Sequence, residues 1–141
     1  INKLSTYMNY HWTCSYLTPG GQSVQLWKRN VNTFWKPLLI FSKGVYSGDW
    51  FGDVCKSNTN ANDKRFHEWG QSISGMTDII ERFTYPNDTI LDPFCGGGTT
   101  GVVCALLGRK FIGIDINKDC IDTSNKRIKE VVDNASKTRK N

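Results

Sequence analysis

One glycine-rich segment constrains the fold of this chain more than any other part of its sequence. An apolar run at residues 89–91 ends in Asp92, and the cluster Gly96-Gly97-Gly98 then opens a second apolar segment at residues 102–107. This order predicts a buried strand, a tight glycine turn and a helix. Glycines let a ligand approach the backbone, and the first turn of a helix offers unpaired N–H groups. The segment therefore predicts a ligand site.

A second apolar run follows at residues 110–114 and is closed by Asp115. A carboxylate at the end of that strand is suited to accept both hydroxyls of a ribose. We expect the next residues, Ile116 and Asn117, to flank an adenine ring. Strand, glycine turn, helix, strand and acid make half of a nucleoside-binding α/β fold.

The spacing alone admits two cofactor classes. Gly96, Gly98 and Gly101 satisfy the G-x-G-x-x-G pattern of dinucleotide sites, and Asp115 follows at a suitable distance. Asp92, however, would stand where a pyrophosphate must lie, and two anions about 4 Å apart repel by roughly 4 kcal/mol in a partly desolvated site. S-adenosylmethionine carries a sulfonium and an ammonium group instead, so the acid favours the methyl donor.

Residues 92–100 resemble the cofactor motif of the amino-group DNA methyltransferases, which modify an exocyclic nitrogen of adenine or cytosine. They are most similar to the permuted branch, in which the catalytic motif precedes the cofactor motif, and to its phage and prophage members. The resemblance implies a partial Rossmann-like, three-layer α/β fold, S-adenosylmethionine as cofactor, double-stranded DNA as partner and a role in DNA methylation or restriction-modification.

The predicted cofactor-binding residues come from the turn, from the second strand and from an upstream motif. Residues 67–72 resemble the motif that precedes the cofactor strand in that branch, although they depart from its commoner His-Pro-Thr-Gln-Lys-Pro form. The resemblance gives Gln71 and Ser72 a role at the methionine end of the donor. We expect Asp92 to engage that same end, with a helix-capping acid as the alternative, and Phe94 to pack on the donor or on the sheet. The complete predicted set is Asp92, Pro93, Phe94, Cys95, Gly96, Gly97, Gly98, Thr99, Thr100, Asp115, Ile116, Gln71 and Ser72.

No catalytic residue is predicted within the chain. Enzymes of this family hold the target amine with a short polar-Pro-Pro-aromatic motif, and no such tetrapeptide occurs here. We therefore expect a C-terminal part of a larger methyltransferase that lacks the strands of the catalytic motif. The apolar sheet edge left exposed predicts self-association, a rearranged sheet or missing companion residues. The alternatives are a non-catalytic donor-binding or DNA-binding prophage remnant and a nicotinamide-dinucleotide-binding fragment.

Four regions are predicted along the chain. Residues 1–44 correspond to late strands of the catalytic half, with strands at 9–17, 23–27 and 34–44 and either a hairpin or a strand-loop-strand between the first two. Residues 45–66 form a loop or a short target-recognition insertion, residues 67–133 the cofactor-binding half, and residues 134–141 a frayed basic tail. Helices are predicted at 76–84, at 99–107 and at 118–132. The second begins at Thr99 or Thr100, where a helix start would use a hydroxyl, and ends at a C-terminal cap at Gly108. The third is amphipathic, with Cys120, Ile121, Ile128 and Val131 or Val132 facing inward.

The 45–66 region admits two interpretations. As target-recognition sequence, it would contact DNA through Lys56, Lys64 and Arg65, with Trp50 or Phe51 touching a groove or a flipped base. As a solvated connector, it would tuck its aromatic residues against the core.

Composition adds weaker constraints. The net charge of +5 and the sequence pI near 9.0 suit a protein that meets polyanions. The five cysteines are odd in number and scattered, which predicts reduced thiols and no metal site. With neither a signal peptide nor an apolar run of membrane length, we expect a cytoplasmic chain.

Overall fold

The computed structural model of the chain describes residues 3–19, 24–26, 28, 30–58 and 71–138. Within those residues a single 3-10 turn at Leu4–Thr6 precedes the first strand. The strands are β1 (Asn9–Leu17), β2 (Val24–Leu26), β3 (Val31–Thr33), β4 (Lys36–Ser42), β5 (Val54–Lys56), β6 (Thr89–Asp92) and β7 (Lys110–Gly113). The helices are α1 (Ile73–Phe83), α2 (Thr99–Leu107) and α3 (Lys118–Thr138).

The first sheet has the strand order β4-β1-β5, with β1 antiparallel to β4 and parallel to β5. The predicted strand at 9–17 is therefore confirmed, but it forms no hairpin with the strand that follows it. Both edges of β1 are occupied, so β2 pairs antiparallel with β3 in a separate two-stranded ribbon.

Strand β5 differs from the prediction of a loop or insertion over residues 45–66. Its central residue, Cys55, is fully buried and packs with Cys14 and Tyr16 in the core of the first sheet. A strand of three residues is too short for its alternation to stand out from the neighbouring Gly, Asp and Ser residues, so only pairing with β1 reveals it.

The second sheet consists of β6 and β7, which run parallel and are joined through α2. Ile90 and Phe111 face the helices and belong to the cluster around Val103. Leu91 and Ile112 pair on the opposite face, where they are 58% and 51% exposed. Among the described residues this sheet is therefore covered on one face only, and β7 is the sole strand neighbour of β6.

Helix α1 packs against both sheets because it carries two apolar stripes. Ile79 and Phe83 contact the core of the first sheet, whereas Met76 and Ile80 pack with α2. The helix begins earlier than predicted, because Ser72 caps its start by accepting a hydrogen bond from the Gly75 N–H (3.0 Å).

Helix α3 also differs from the prediction, since it continues to Thr138 where residues 134–141 were expected to be a frayed tail. No Pro or Gly interrupts residues 133–138, and the Ser136 hydroxyl donates to the Val132 carbonyl (2.9 Å). In the part of the chain that the structure describes, none of the helices combines the length and the hydropathy that crossing a bilayer requires.

Several elements meet at one end of the molecule, which we call the turn end. Strands β1 and β5 finish there together, because the Ser57 N–H donates to the Leu17 carbonyl (2.9 Å). Helix α1 begins there, and the carbonyl of Gln71 lies 3.5 Å from the hydroxyl of Thr99 at the start of α2. The glycine turn after β6 therefore lies beside the end of the first sheet.

The opposite end, which we call the far end, holds the loop between β4 and β5. Phe51 packs edge-on against Phe83 at the C-terminal end of α1, with 4.8 Å between ring centroids, and the Tyr85 hydroxyl donates to the Asp49 carboxylate. An eleven-residue helix is about 16 Å long, so this length of α1 separates the two ends.

Candidate donor-binding site

The turn between β6 and α2 depends on glycine at two left-handed positions. Gly96 has φ +49° and Gly98, the N-cap of α2, has φ +78°. Among the described residues no side chain caps the start of this helix, so the prediction that Thr99 or Thr100 supplies a capping hydroxyl is wrong. The reason is that the Thr100 hydroxyl bonds to Asp92 instead.

The Asp92 carboxylate is half-buried and faces the turn. Its Oδ1 accepts from the Phe94 N–H (3.1 Å) and its Oδ2 from the Thr100 hydroxyl (2.7 Å). It thus organises the turn, but neither bond is made to a backbone N–H of α2, so Asp92 does not cap the helix as the alternative had it. A carboxylate has about four acceptor positions, so these two bonds leave capacity for a ligand.

We expect Thr100→Val to lower the free energy of unfolding by about 1–3 kcal/mol, because the half-buried Asp92 carboxylate loses a charge-assisted bond while the side-chain shape is kept. Thr99→Val is the matched control, since its hydroxyl makes only the 3.5 Å contact with Gln71, and it should cost less than about 1 kcal/mol. Urea denaturation followed by circular dichroism measures both. Equal losses would contradict the role of Thr100.

Asp115 approaches the same turn from the end of β7. Its Oδ2 accepts from the Gly96 N–H (2.8 Å) and its Oδ1 from the Asn117 N–H (2.9 Å). The backbone strengthens this connection, because the Cys95 N–H donates to the Ile114 carbonyl (2.9 Å). Two carboxylates therefore border one glycine turn, and the site is suited to a ligand that carries positive charge and hydroxyl groups.

Cys95 lies within the turn and is 7% exposed. Burial raises the pKa of its thiol above the ordinary value, and the charges of Asp92 and Asp115 raise it further. The thiol therefore stays protonated at neutral pH, and it is a poor nucleophile in that form. It fills the space beside Gly113.

Three apolar side chains stand open beside the turn. Phe94 is 87% and Ile116 is 104% exposed, and Pro93 is exposed as well. Of the two partners predicted for Phe94, the sheet is thus excluded, and its ring remains available to a ligand. Exposed aromatic and aliphatic groups next to polar acceptors are typical of ligand sites.

The two residues predicted at the methionine end have different surroundings. Gln71 is exposed and lies at the turn, where its side-chain oxygen is 3.5 Å from Lys36 Nζ. Ser72 is 3% exposed, caps α1 and shares a hydrogen bond with the Ser57 hydroxyl. The Ser72 side chain is therefore committed to the fold, as a serine directly before an amphipathic helix would have indicated. His67 and the rest of 67–70 lie outside the described residues.

The predicted DNA contacts are divided between the two ends. Lys56 is exposed at the turn end, whereas Trp50 is fully exposed at the far end and Phe51 is packed against the core. Lys64 and Arg65 lie outside the described residues. The connector interpretation thus holds for Phe51 but not for Trp50.

Sequence reasoning missed two basic residues at the site. Arg127 of α3 donates from Nη1 to the Gly97 carbonyl, and Lys36 lies against Gln71. Arg127 follows Cys120 by seven residues, so the helical period that assigned Cys120 to the inner face also indicated Arg127. Nothing local indicated Lys36. Among the described residues no cluster of three or more His, Cys, Asp or Glu side chains is arranged to hold a metal ion.

A family model described as DNA methylase, N6_N4_Mtase, matches residues 11–126. Among curated proteins, the type II methyltransferase M2.DpnII of Streptococcus pneumoniae is 53% identical over 124 residues, and M2.LlaDCHI of Lactococcus lactis subsp. cremoris is 35% identical over 123 residues. Each alignment covers 82% of this chain and 45% of the relative. The chain therefore spans less than half the length of these relatives.

Solved structures share the fold. The crystal structure of an M1.HpyAVI–SAM complex matches with a TM-score of 0.70 at 24% identity, over 89% of this chain and 65% of that one. The DNA modification methylase TTHA0409 of Thermus thermophilus, complexed with S-adenosyl-L-methionine, matches with a TM-score of 0.66 at 15% identity, over 92% and 56% of the two chains. These matches confirm the predicted α/β methyltransferase fold class.

Proposed function

This chain belongs to the N6_N4_Mtase family of DNA methylases, and from that premise we propose that it forms the S-adenosylmethionine-binding part of an enzyme that methylates an exocyclic amine of adenine or cytosine in DNA. The observation that supports this most is the pair of carboxylates, Asp92 and Asp115, bonded to one glycine turn. The solved relatives whose descriptions include this donor share the fold.

The residues around the glycine turn suit S-adenosylmethionine in charge and in shape. The Asp115 carboxylate is suited to accept from the ribose hydroxyls, and Asp92 offers negative charge to the sulfonium and ammonium groups. Phe94 and Ile116 provide apolar surface for the adenine ring. A diphosphate at the same turn would meet the Asp92 carboxylate and be repelled by about 4 kcal/mol at a separation of about 4 Å. When bound, the donor supplies a methyl group activated by the positive sulfur.

The residues that hold the target amine lie outside this sequence in the proposed enzyme. The chain has four prolines, Pro19, Pro37, Pro86 and Pro93, and none of them forms a Pro-Pro pair. The chain's own contribution to catalysis is thus to bind the donor and orient its methyl group, which makes a bimolecular reaction effectively intramolecular. DNA is the proposed macromolecular partner.

Calorimetry of the 141-residue chain tests the cofactor assignment. We expect S-adenosylhomocysteine to bind at least about 100-fold more tightly than NAD, because the diphosphate repulsion acts only on NAD. Adenosine is the matched control, since it carries the nucleoside without the amino-acid group of S-adenosylhomocysteine and without the diphosphate of NAD. Tighter binding of NAD would support a dinucleotide-binding fragment instead, and binding of neither compound would remove the proposed donor site.

A further inference from the structure

The segment that connects β3 to β4 lies at the turn end, although it is distant in sequence from the glycine turn. Lys36 pairs with Tyr16 near the C-terminal end of β1, and its Nζ lies 3.5 Å from the Gln71 side-chain oxygen. The Gln71 carbonyl in turn contacts the Thr99 hydroxyl. Two contacts of 3.5 Å each, both made by Gln71, therefore link this segment to the start of α2. We call residues 34–36 the arm.

Two aromatic side chains on the arm are adjacent and open to solvent. Phe34 is 60% exposed and Trp35 is 46% exposed. Two large exposed aromatic residues at the end of the molecule that holds the proposed donor site are typical of an interaction surface. Rings of this kind stack on nucleobases of any sequence, because every base has a π-face.

The charge of the chain's first third, to which the arm belongs, indicates the partner. Residues 1–48 contain five Lys and Arg residues and no Asp or Glu, and the first acidic residue of the chain is Asp49. Lys36 of the arm and Lys56 at the end of β5 are both exposed at the turn end. A surface that combines aromatic rings with an excess of positive charge is complementary to a nucleic acid and unsuited to a basic partner.

We propose that the arm is the surface through which this chain contacts DNA, with Phe34 and Trp35 stacking on bases next to the position of the target nucleotide. This inference rests on the proposed function, because it takes its substrate from there. An enzyme that acts on an exocyclic amine has to extrude the base, and aromatic side chains are suited to stack on the bases so exposed.

Trp50 is a second exposed tryptophan with which Trp35 can be compared as a candidate for DNA contact. Its side chain is fully exposed, as DNA contact would require, but it lies at the far end. The neighbouring acids Asp49 and Asp53 line the same cavity of about 540 Å³ as Trp50, and their carboxylates repel phosphate groups. Of these two exposed tryptophans, Trp35 and not Trp50 is therefore assigned to DNA.

Fluorescence anisotropy with an end-labelled duplex of mixed sequence tests the assignment on the full chain. We expect Trp35→Ala to weaken binding about 5- to 150-fold, and Trp35→Phe to retain most of the affinity because the ring is kept. Trp50→Ala is the matched control and should change affinity by less than about twofold. Lys36→Gln should reduce the slope of log affinity against log salt concentration by about one.

Two outcomes would overturn the assignment: failure of the unsubstituted chain to bind the duplex, or a loss in Trp50→Ala equal to that in Trp35→Ala. Calorimetry with S-adenosylhomocysteine on the same variants separates this result from failure of the proposed function. If the chain binds S-adenosylhomocysteine but not DNA, the proposed donor site is supported and the assignment of the arm to DNA is contradicted. Thermal unfolding of each variant shows whether the substitutions leave the fold intact.

Discussion

Replacing Gly98 with alanine is expected to lower the free energy of unfolding by about 2–5 kcal/mol. Two effects add at this position. The residue has φ +78°, where an L side chain costs about 1–2 kcal/mol. The added Cβ would also lie 2.2 Å from the Ser124 hydroxyl oxygen and 2.8 Å from the Ser124 Cα, so α3 would have to move at a cost of about 1–3 kcal/mol.

The displacement of α3 should also disturb the donor site. Arg127 lies one helical turn beyond Ser124 and donates to the Gly97 carbonyl within the glycine turn. We therefore expect Gly98→Ala to lose measurable binding of S-adenosylhomocysteine even at temperatures where the variant remains folded.

Gly108→Ala is the matched control for Gly98→Ala. Gly108 is the C-terminal cap of α2 and has a similar φ of +69°, but a Cβ added there would meet nothing within 4 Å. The free energy of unfolding of Gly108→Ala should therefore fall only by the backbone cost of about 1–2 kcal/mol. Urea denaturation, with circular dichroism as the signal, compares the two variants. A loss at Gly108 as large as that at Gly98 would show that contact with α3 contributes nothing.

Asp115→Asn is expected to weaken the binding of S-adenosylhomocysteine about 10- to 150-fold, which corresponds to one charge-assisted hydrogen bond. The wild-type carboxylate accepts from the N–H groups of Gly96 and Asn117. In the asparagine variant, one of the two carboxylate oxygens is replaced by an NH₂ group, which faces the N–H of Gly96 or of Asn117. The turn loses a bond, and a ribose loses a charged acceptor at the same atom.

Asp122→Asn is the control for that substitution. It makes the same chemical change on α3, but its side chain is 60% exposed and pairs with Lys118, one turn away. Such surface pairs are worth about 0.3–0.5 kcal/mol, so donor affinity should be unchanged within about twofold. Calorimetry measures the affinity of both variants for S-adenosylhomocysteine. Wild-type affinity in Asp115→Asn would contradict the assignment of Asp115 to the donor.

The cofactor half was predictable in detail because its signals are local. An apolar run, a glycine cluster and a second apolar run define β6, α2 and β7, and the glycine at position 108 has the left-handed conformation expected of a helix cap. The first half was less predictable. Strand β5 carries too few residues for a pattern, and Ser72 was assigned to the ligand although its position before α1 marks it as a cap.

The sequence by itself determined the fold class, the family and the order strand, glycine turn, helix, strand, since these depend on backbone preferences and apolar periodicity within short windows. Only the tertiary structure decided that Asp115 bonds to Gly96, nineteen residues away, and that the arm lies at the turn end while Trp50 lies at the far end. Contacts between distant segments depend on how α1 packs against both sheets, and no local pattern encodes that packing.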